Sequence, residues 1–398
     1  MDYRSLKLYR NFFEEGTSKG SFTIHDGGRM YPQTRNQTYW GLASASFIPQ
    51  EFKDKHNVIT SNTNKTTDAS QLSAFFKFSK TNFNVFAEAV GMEIASCFNT
   101  KTSFNCPVVL TPSEPTLYSK LSEEQKSSPV MGSLVFSFLG RNETLFTFGS
   151  IVHTEAPSTN IVDMCKTIDK FIVEKNNENS TDVYQKLSET SLAAKQELCY
   201  QCLFRDCFGD VDFSSRNSGI VYNEETGEIK TAPQFDFGEL MGVLYSSKLT
   251  PLVLDSLDNY SEAVRPFVKP EMIEKNNAMK IAKHNSSPTE LAQIKTFGDR
   301  SDENIYAICH SFPEVAHQFL QDLHSFSQSG VLSSIVEKYS GENNLISTEE
   351  GQMAVEFLDA RTQVFSQQLT EGLQQYAPNG FLENMPPIET QSDLGMCK

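Results

Sequence analysis

The apolar residues of this chain change their period part-way along, and that change limits the folds open to it. Through about residue 155 they come in short runs, SFTIH, YWGLASASFI, LSAFFKFS, NCPVVLTP, GSLVFSFLG and TLFTFGSIV, set among turn residues in a background rich in Phe, Thr, Ser and Asn. Such runs have strand length. One longer piece interrupts them: Phe83, Phe86, Val90, Ile94 and Cys97 recur at spacings of three and four, which predicts a helix over 83–98 packed on the sheet. From Ile161 the texture is helical, through IVDMCKTIDKFIVEK, VYQKLSETSLAAKQELCYQCLFRDCF and most of 250–375, with Asn176–Thr181 as a loop. Within that half, SGIVY and EIKTA flank Asn223-Glu-Glu-Thr-Gly227 as the arms of a hairpin over 218–233. The pattern predicts an α+β, two-lobed chain: a β-rich lobe over 1–155, a helical lobe over 156–375, and a loose tail over 376–398 that carries three prolines. A cleft between two such lobes suits a nucleotide.

Charge narrows the choice of partner. Fifty acidic residues against 34 Lys and Arg give a net charge of −16, which repels nucleic acid and anionic membranes. A nucleotide carried with a metal ion remains compatible with that field. No window approaches the ~18 apolar residues of a membrane span, the first residues lack a signal-peptide core, and the eight cysteines are too sparse for a disulfide scaffold. A cytoplasmic location is therefore expected. Cys199-x2-Cys202-x4-Cys207 has the look of half a zinc site, but it lies in a helical run with no second pair, so core packing is the expectation.

The densest chemistry lies at Gly209-Asp-Val-Asp212-Phe-Ser-Ser-Arg216-Asn217 and, after the hairpin, Ala232-Pro-Gln-Phe-Asp236-Phe-Gly238. Phosphoryl transfer from ATP needs metal ions held against the phosphates and a carboxylate beside the attacking hydroxyl. Asp212 would accept the hydroxyl proton, Asn217 would give an oxygen to Mg²⁺, and Asp236 would supply the second metal ligand. Gly238 would let the backbone turn sharply. Asp210 competes as the base but lies seven residues from Asn217. Either motif alone is weak, whereas both flanking one hairpin after a long helix point to phosphotransfer.

These segments resemble the catalytic core of the HipA-like serine/threonine protein kinases, which carry Asp-x-His-x-Lys-Asn, a short hairpin, and Ala-Pro-x-Tyr-Asp. The resemblance covers about residues 70–240 and assigns Asp212 as catalytic and Asn217 and Asp236 as metal ligands. Ser214 stands where that family has His, and Arg216, placed near the nucleotide, where it often has Lys. The same Asp, Asn, Asp order occurs in phosphoinositide kinases. What the resemblance implies is a protein-kinase-like fold, transfer of the γ-phosphoryl group to a Ser or Thr hydroxyl of a protein, autophosphorylation, and a toxin with a cognate antitoxin or regulatory partner.

Such a kinase needs a strand lysine for the α and β phosphates and a glutamate to hold it. In Ser73-Ala-Phe-Phe-Lys77-Phe-Ser79 a period of two turns Lys77 out of an apolar strand. The family match selects Glu88, seven residues before Ala95, as its partner. The helical wheel places Glu88 opposite the main apolar stripe and Glu93 nearer its edge, so Glu93 stays in reserve. Thr60–Thr67 is the phosphate-covering loop by position, the adenine-binding hinge follows the strand 132–140, and Phe237–Pro251 would be the activation segment, with Ser246, Ser247 and Thr250 as modifiable hydroxyls. His310, His317 and His324, seven apart, are expected on one helix face. The sequence thus predicts an ATP- and Mg²⁺-dependent kinase. Its rivals are a small-molecule or phosphoinositide-like kinase, an ATP-binding pseudokinase acting as an interaction module, and a non-enzymatic interaction protein.

Overall fold

The computed structural model describes residues 3–8, 19–24, 38–44, 71–78, 81–110, 130–139, 142–152, 158–178, 184–223, 225–342 and 344–386. Strands β1 (Tyr3–Leu8), β2 (Lys19–Ile24), β3 (Thr38–Ser44), β4 (Gln71–Phe78), β5 (Asn105–Leu110) and β6 (Val130–Phe136) form a closed antiparallel barrel in the order β1-β2-β3-β4-β6-β5. The run Tyr3–Leu8, absent from the strands read in the sequence, closes it by pairing Leu6 with Leu110. Closure leaves no open edge. It also makes β4 an inner strand, with Lys77 paired to Thr38 on one side and to Ser133 on the other.

Helix α1 (Asn82–Ser96) follows β4 directly, and its Thr81 cap accepts a hydrogen bond at 3.3 Å from the amide of Asn84. It packs on β5 and β6, and Phe83 through Ala95 are buried on almost every face. An all-round apolar helix has to be enclosed in this way. Its end reaches the helical half, where the Phe98 ring meets those of Phe204, Phe208, Phe319 and Phe326 at 5.2–5.6 Å.

One segment departs from expectation. TLFTFGSIV divides into β7 (Glu143–Thr147) and α2 (Phe148–Val152), and β7 pairs with the hairpin β8 (Gly219–Asn223) and β9 (Ile229–Thr231) rather than with the barrel. The strand stops at Thr147, which pairs with Gly219, the first residue of β8, so the apolar residues beyond it have no strand partner there.

The remaining elements are α3 (Ile161–Glu178), α4 (Tyr184–Cys207), α5 (Pro270–Asn285), α6 (Pro288–Leu291), α7 (Asp299–Ser311), α8 (Pro313–Ser329), α9 (Val331–Glu337) and α10 (Thr348–Tyr376). A helix ends with carbonyls that lack partners. At the end of α4 the buried Arg361 of α10 fills that need, donating to Asp206 O at 2.5 Å and Cys207 O at 3.2 Å, and it also holds Ala292 O and Ile294 O. The loop that carries Asp212 therefore starts from an anchored point.

Two smaller expectations change. His310 lies on α7 while His317 and His324 lie on α8, because Phe312-Pro313 separates two helices where one was read. Part of the expected loose tail folds onto α8, where His317 donates from Nε2 to Pro386 O at 3.1 Å. Among the described residues no helix is long and apolar enough to cross a membrane. Cys199, Cys202 and Cys207 are buried.

Candidate active site

Three distant segments meet at Lys77. Its ammonium donates to Glu88 Oε1 of α1 at 2.7 Å and to Asp236 Oδ1. Glu88 is only 2% exposed, and its Oε2 accepts from the amide of Phe237 at 2.9 Å. Glu93, the reserve partner, points elsewhere, accepting from Lys338 and from the Tyr339 hydroxyl, each at 2.6 Å. The difference follows from the helix: residues five apart on α1 lie well over a full turn apart, and α1 is sandwiched between the barrel and α9.

The segment carrying Asp236 is clamped at several points. The Gln234 amide donates to Lys101 O and the Gln234 carbonyl accepts from the Ser103 amide, each at 2.8 Å, and Gln234 Nε2 donates to Thr100 Oγ1 at 3.2 Å. Asn84 Nδ2 donates to Gly238 O at 2.7 Å. The left-handed conformation falls on Asp236 itself, with φ 63°, and on Met241, with φ 58°. Gly238 has no positive φ. Its lack of a side chain gives room instead, since a Cβ there would stand 3.4 Å from Lys77 Nζ. The expected sharp turn at Gly238 is thus displaced to Asp236, where a non-glycine residue costs about 1–3 kcal/mol and must be held by its surroundings.

On the preceding loop Asn217 Nδ2 donates to both the backbone O and Oδ2 of Asp212, each at 2.9 Å. That orientation leaves the amide oxygen Oδ1 for a cation. Asp212 is exposed, whereas Asp210 is fully buried, bonded to Arg205 and accepting from the Asp212 amide at 3.0 Å. Asp210 is shut off from any external hydroxyl. Ser214 is buried and accepts from the amide of Arg216 at 3.3 Å, and the exposed Arg216 lies against Gly149 of α2.

The electrostatics are those of a crowded acidic site. Burial works against the Lys77 charge, but Asp236 and Glu88 outweigh it and hold the ammonium above its ordinary pKa. Burial likewise opposes ionisation of Asp236, and Lys77 with Arg205 outweighs it, so its carboxyl sits below the usual range. For Glu88 burial wins and its pKa rises. Partial loss of water around its carboxyl, though the residue is exposed as a whole, and then the charges of Asp236 and Asp210 raise Asp212. A raised carboxyl and a persistent ammonium in one acidic site are the kind of perturbation that marks a candidate functional site.

A hard divalent cation fits the donors present, since the Asp236 carboxylate, 34% exposed, and Asn217 Oδ1 are both oxygens. Among the described residues no group of three or more His, Cys, Asp or Glu is placed to hold a metal by itself. Magnesium with two protein donors completes its shell from water and phosphate oxygens.

Solved structures resemble this chain in backbone path. The proinflammatory kinase CtkA of Helicobacter pylori aligns over 77% of this chain and 90% of its own at 14% identity, with a TM-score of 0.42. A chain of the HipA, HipB and operator DNA complex from Shewanella oneidensis MR-1 aligns over 80% of this chain and 61% of its own at 11% identity, with a TM-score of 0.36. No protein-family model and no curated protein matches the sequence.

Several residues of the site were not marked in the sequence. Arg205, Asn84 and Gln234 all touch the Asp236 segment. Arg205 and Asp206 are adjacent charges in the mostly apolar run 199–208, a pattern that does not say which of them meets the Asp236 segment. Asn84 and Gln234 act through backbone contacts that no spacing announces. The Thr60–Thr67 loop lies outside the described residues. In the segment 237–251, expected to be the activation segment, Ser246 is exposed and Ser247 buried, within a π-helical stretch Tyr245–Leu249.

Proposed function

We propose that the chain is an ATP- and Mg²⁺-dependent kinase that transfers the γ-phosphoryl group to a hydroxyl of a protein Ser or Thr. The observation that carries this reading is the meeting of Lys77, Glu88 and Asp236 at one point, from a barrel strand, a helix and the segment after a hairpin. In the proposed reaction Glu88 orients Lys77, whose ammonium neutralises phosphate oxygens of the bound nucleotide. Asp212, held by Asn217, accepts the proton of the attacking hydroxyl at its exposed carboxylate. Asp236 and Asn217 would hold Mg²⁺, which supplies neutralisation of the charge on the transferred and leaving phosphates. Arg216, on the exposed side of the same loop, would approach the nucleotide or acceptor. The choice of a protein hydroxyl, autophosphorylation, and a toxin role with an antitoxin or regulatory partner rest on the resemblance of the 203–236 segments to HipA-like kinases.

A second reading is an ATP-binding pseudokinase. It is favoured by Ser214, buried and bonded to Arg216 where the resembling family has His. One experiment separates the two. Wild type and Asp236→Ala are incubated with Mg²⁺-ATP, alone and with a Ser/Thr peptide library, and read by intact mass. Phosphate added to chain or peptide only by wild type supports the kinase. A Mg²⁺-ATP thermal shift without any transfer supports the pseudokinase, and neither signal removes both readings.

A further inference from the structure

Beneath the site lies an ion pair that touches no substrate position. Arg205, in the last turn of α4, and Asp210, just past its end, are both fully buried. The guanidinium divides its donors: Nε to Gln234 Oε1 at 2.9 Å, Nη2 to Phe235 O at 2.6 Å, and Nη1 to Asp236 O at 2.9 Å and to Asp210 Oδ2. Its Cζ lies 4.0 Å from the ring centroid of Phe237. The second oxygen of Asp210 accepts from the Asp212 amide. One ion pair therefore holds the backbone of Asp236 with one end and that of Asp212 with the other.

Stability alone does not call for such a pair. Apolar replacement of both partners of a buried ion pair is often neutral or stabilising, so what the pair supplies is placement. Only arginine has the planar fork to serve four acceptors at once; a lysine in its place keeps the charge but not the geometry. The left-handed Asp236 also needs an external hold, and two of these bonds grip the carbonyls at and just before it.

From this geometry we infer that Arg205, with Asp210, is a positioning residue that fixes the metal-binding Asp236 against the proton-accepting Asp212. The functional half of that statement rests on the kinase reading above. The mechanical half, that one pair couples the two loops, stands without it.

The test uses the full chain with Arg205→Met/Asp210→Leu, which removes both charges together, and Arg205→Lys, which keeps the charge. Amide hydrogen exchange is followed in segments 209–217 and 234–239 without ligand. The magnesium concentration giving half of the thermal shift by ATP is measured alongside. The double variant is expected to melt below wild type, because the carbonyls of Phe235 and Asp236 and the Asp212 amide lose their partners, to exchange about tenfold faster in both segments with α8 and α10 unchanged, and to need about tenfold more Mg²⁺, while ATP affinity without Mg²⁺ stays within about threefold. A loss of fold alone would not shift Mg²⁺ demand apart from ATP affinity. Wild-type exchange in both segments, or loosening of only one, overturns the inference. If the double variant does not fold, Arg205→Lys is judged by the same criteria. A wild type without any Mg²⁺-ATP shift removes the kinase reading, and the exchange comparison still decides the coupling.

Discussion

Lys77 joins Asp236 across 159 positions of sequence while also holding Glu88 at 2.7 Å, so one ammonium balances two carboxylates. Removing it leaves Glu88 and Asp236 facing a shared site without a cation. Lys77→Met is expected to lower phosphotransfer by about 10²–10³ and the melting temperature by roughly 2–4 °C. Adding Glu88→Gln to Lys77→Met should recover part of the lost stability, because the second change removes an unpaired buried charge. A thermal double-mutant cycle measures this, and strictly additive losses would show that the two side chains are not coupled.

Asp212 carries a penalty that its replacement should relieve. Its pKa in the folded chain lies above the ordinary 3.8, through partial loss of water around the carboxyl and the charges of Asp236 and Asp210. A carboxyl raised on folding binds its proton more tightly in the native state. Its contribution to stability is therefore full below pH 3.8 and is lost as pH rises through the raised value. At pH 7 Asp212→Asn should melt roughly 1–3 °C above wild type while losing phosphotransfer, and the gap in melting temperature should close below about pH 4. Melting curves over that range decide it. A variant less stable than wild type at pH 7 would mean that its hydrogen bonds outweigh the repulsion.

The same residues show what a sequence can and cannot reveal. Lys77 and the helix with Glu88 were legible because strand period and helix period are local, and both segments keep their period to the end. The choice between Glu88 and Glu93 was not, since α1 is apolar nearly all round and the deciding contacts, Lys338 and Tyr339, lie about 245 residues away. The hairpin was visible from its turn chemistry, whereas the pairing of β7 with it, and of β1 with β5, depends on partners that no local pattern specifies. Arg205 was missed for a related reason. A buried charge is recognised only once its acceptors, Gln234, Phe235 and Asp236, are placed around it.

At Gly91 the backbone of α1 passes close against the side chain of Phe237. A Cβ at this position would fall 2.7 Å from the Cβ of Phe237, nearer than atoms in contact permit. Helix propensity favours alanine over glycine by about 1 kcal/mol, and overpacking costs roughly 1–3 kcal/mol. The contact should win, because Phe237 is buried and its amide is bound to Glu88. Gly91→Ala is therefore expected to lower the melting temperature by a few degrees, about 2–4 °C, and to weaken Mg²⁺-ATP binding as Phe237 and its neighbour Asp236 shift. Calorimetry with and without nucleotide tests both parts. Higher stability with unchanged binding would show that Phe237 can move without carrying Asp236.

The two glutamates of α1 should separate cleanly in their variants. Glu93 lies on the face toward α9, where its carboxylate accepts from Tyr339, itself fully buried, and from the exposed Lys338. Tyr339→Phe removes one hydrogen bond to a charged group and should cost about 1.5–3 kcal/mol of stability. Phosphotransfer per folded molecule should be unchanged in Tyr339→Phe and Glu93→Gln, because neither contact reaches Lys77. Glu88→Gln keeps the shape of its side chain yet weakens the hold on both Lys77 and the Phe237 amide, so it should lower turnover by about 10² with a smaller loss of stability than Tyr339→Phe. Denaturant melts paired with initial rates would show the split. Equal catalytic losses at Glu88 and Glu93 would mean that α1 acts as a rigid body whose placement, rather than the Lys77 ion pair, limits the reaction.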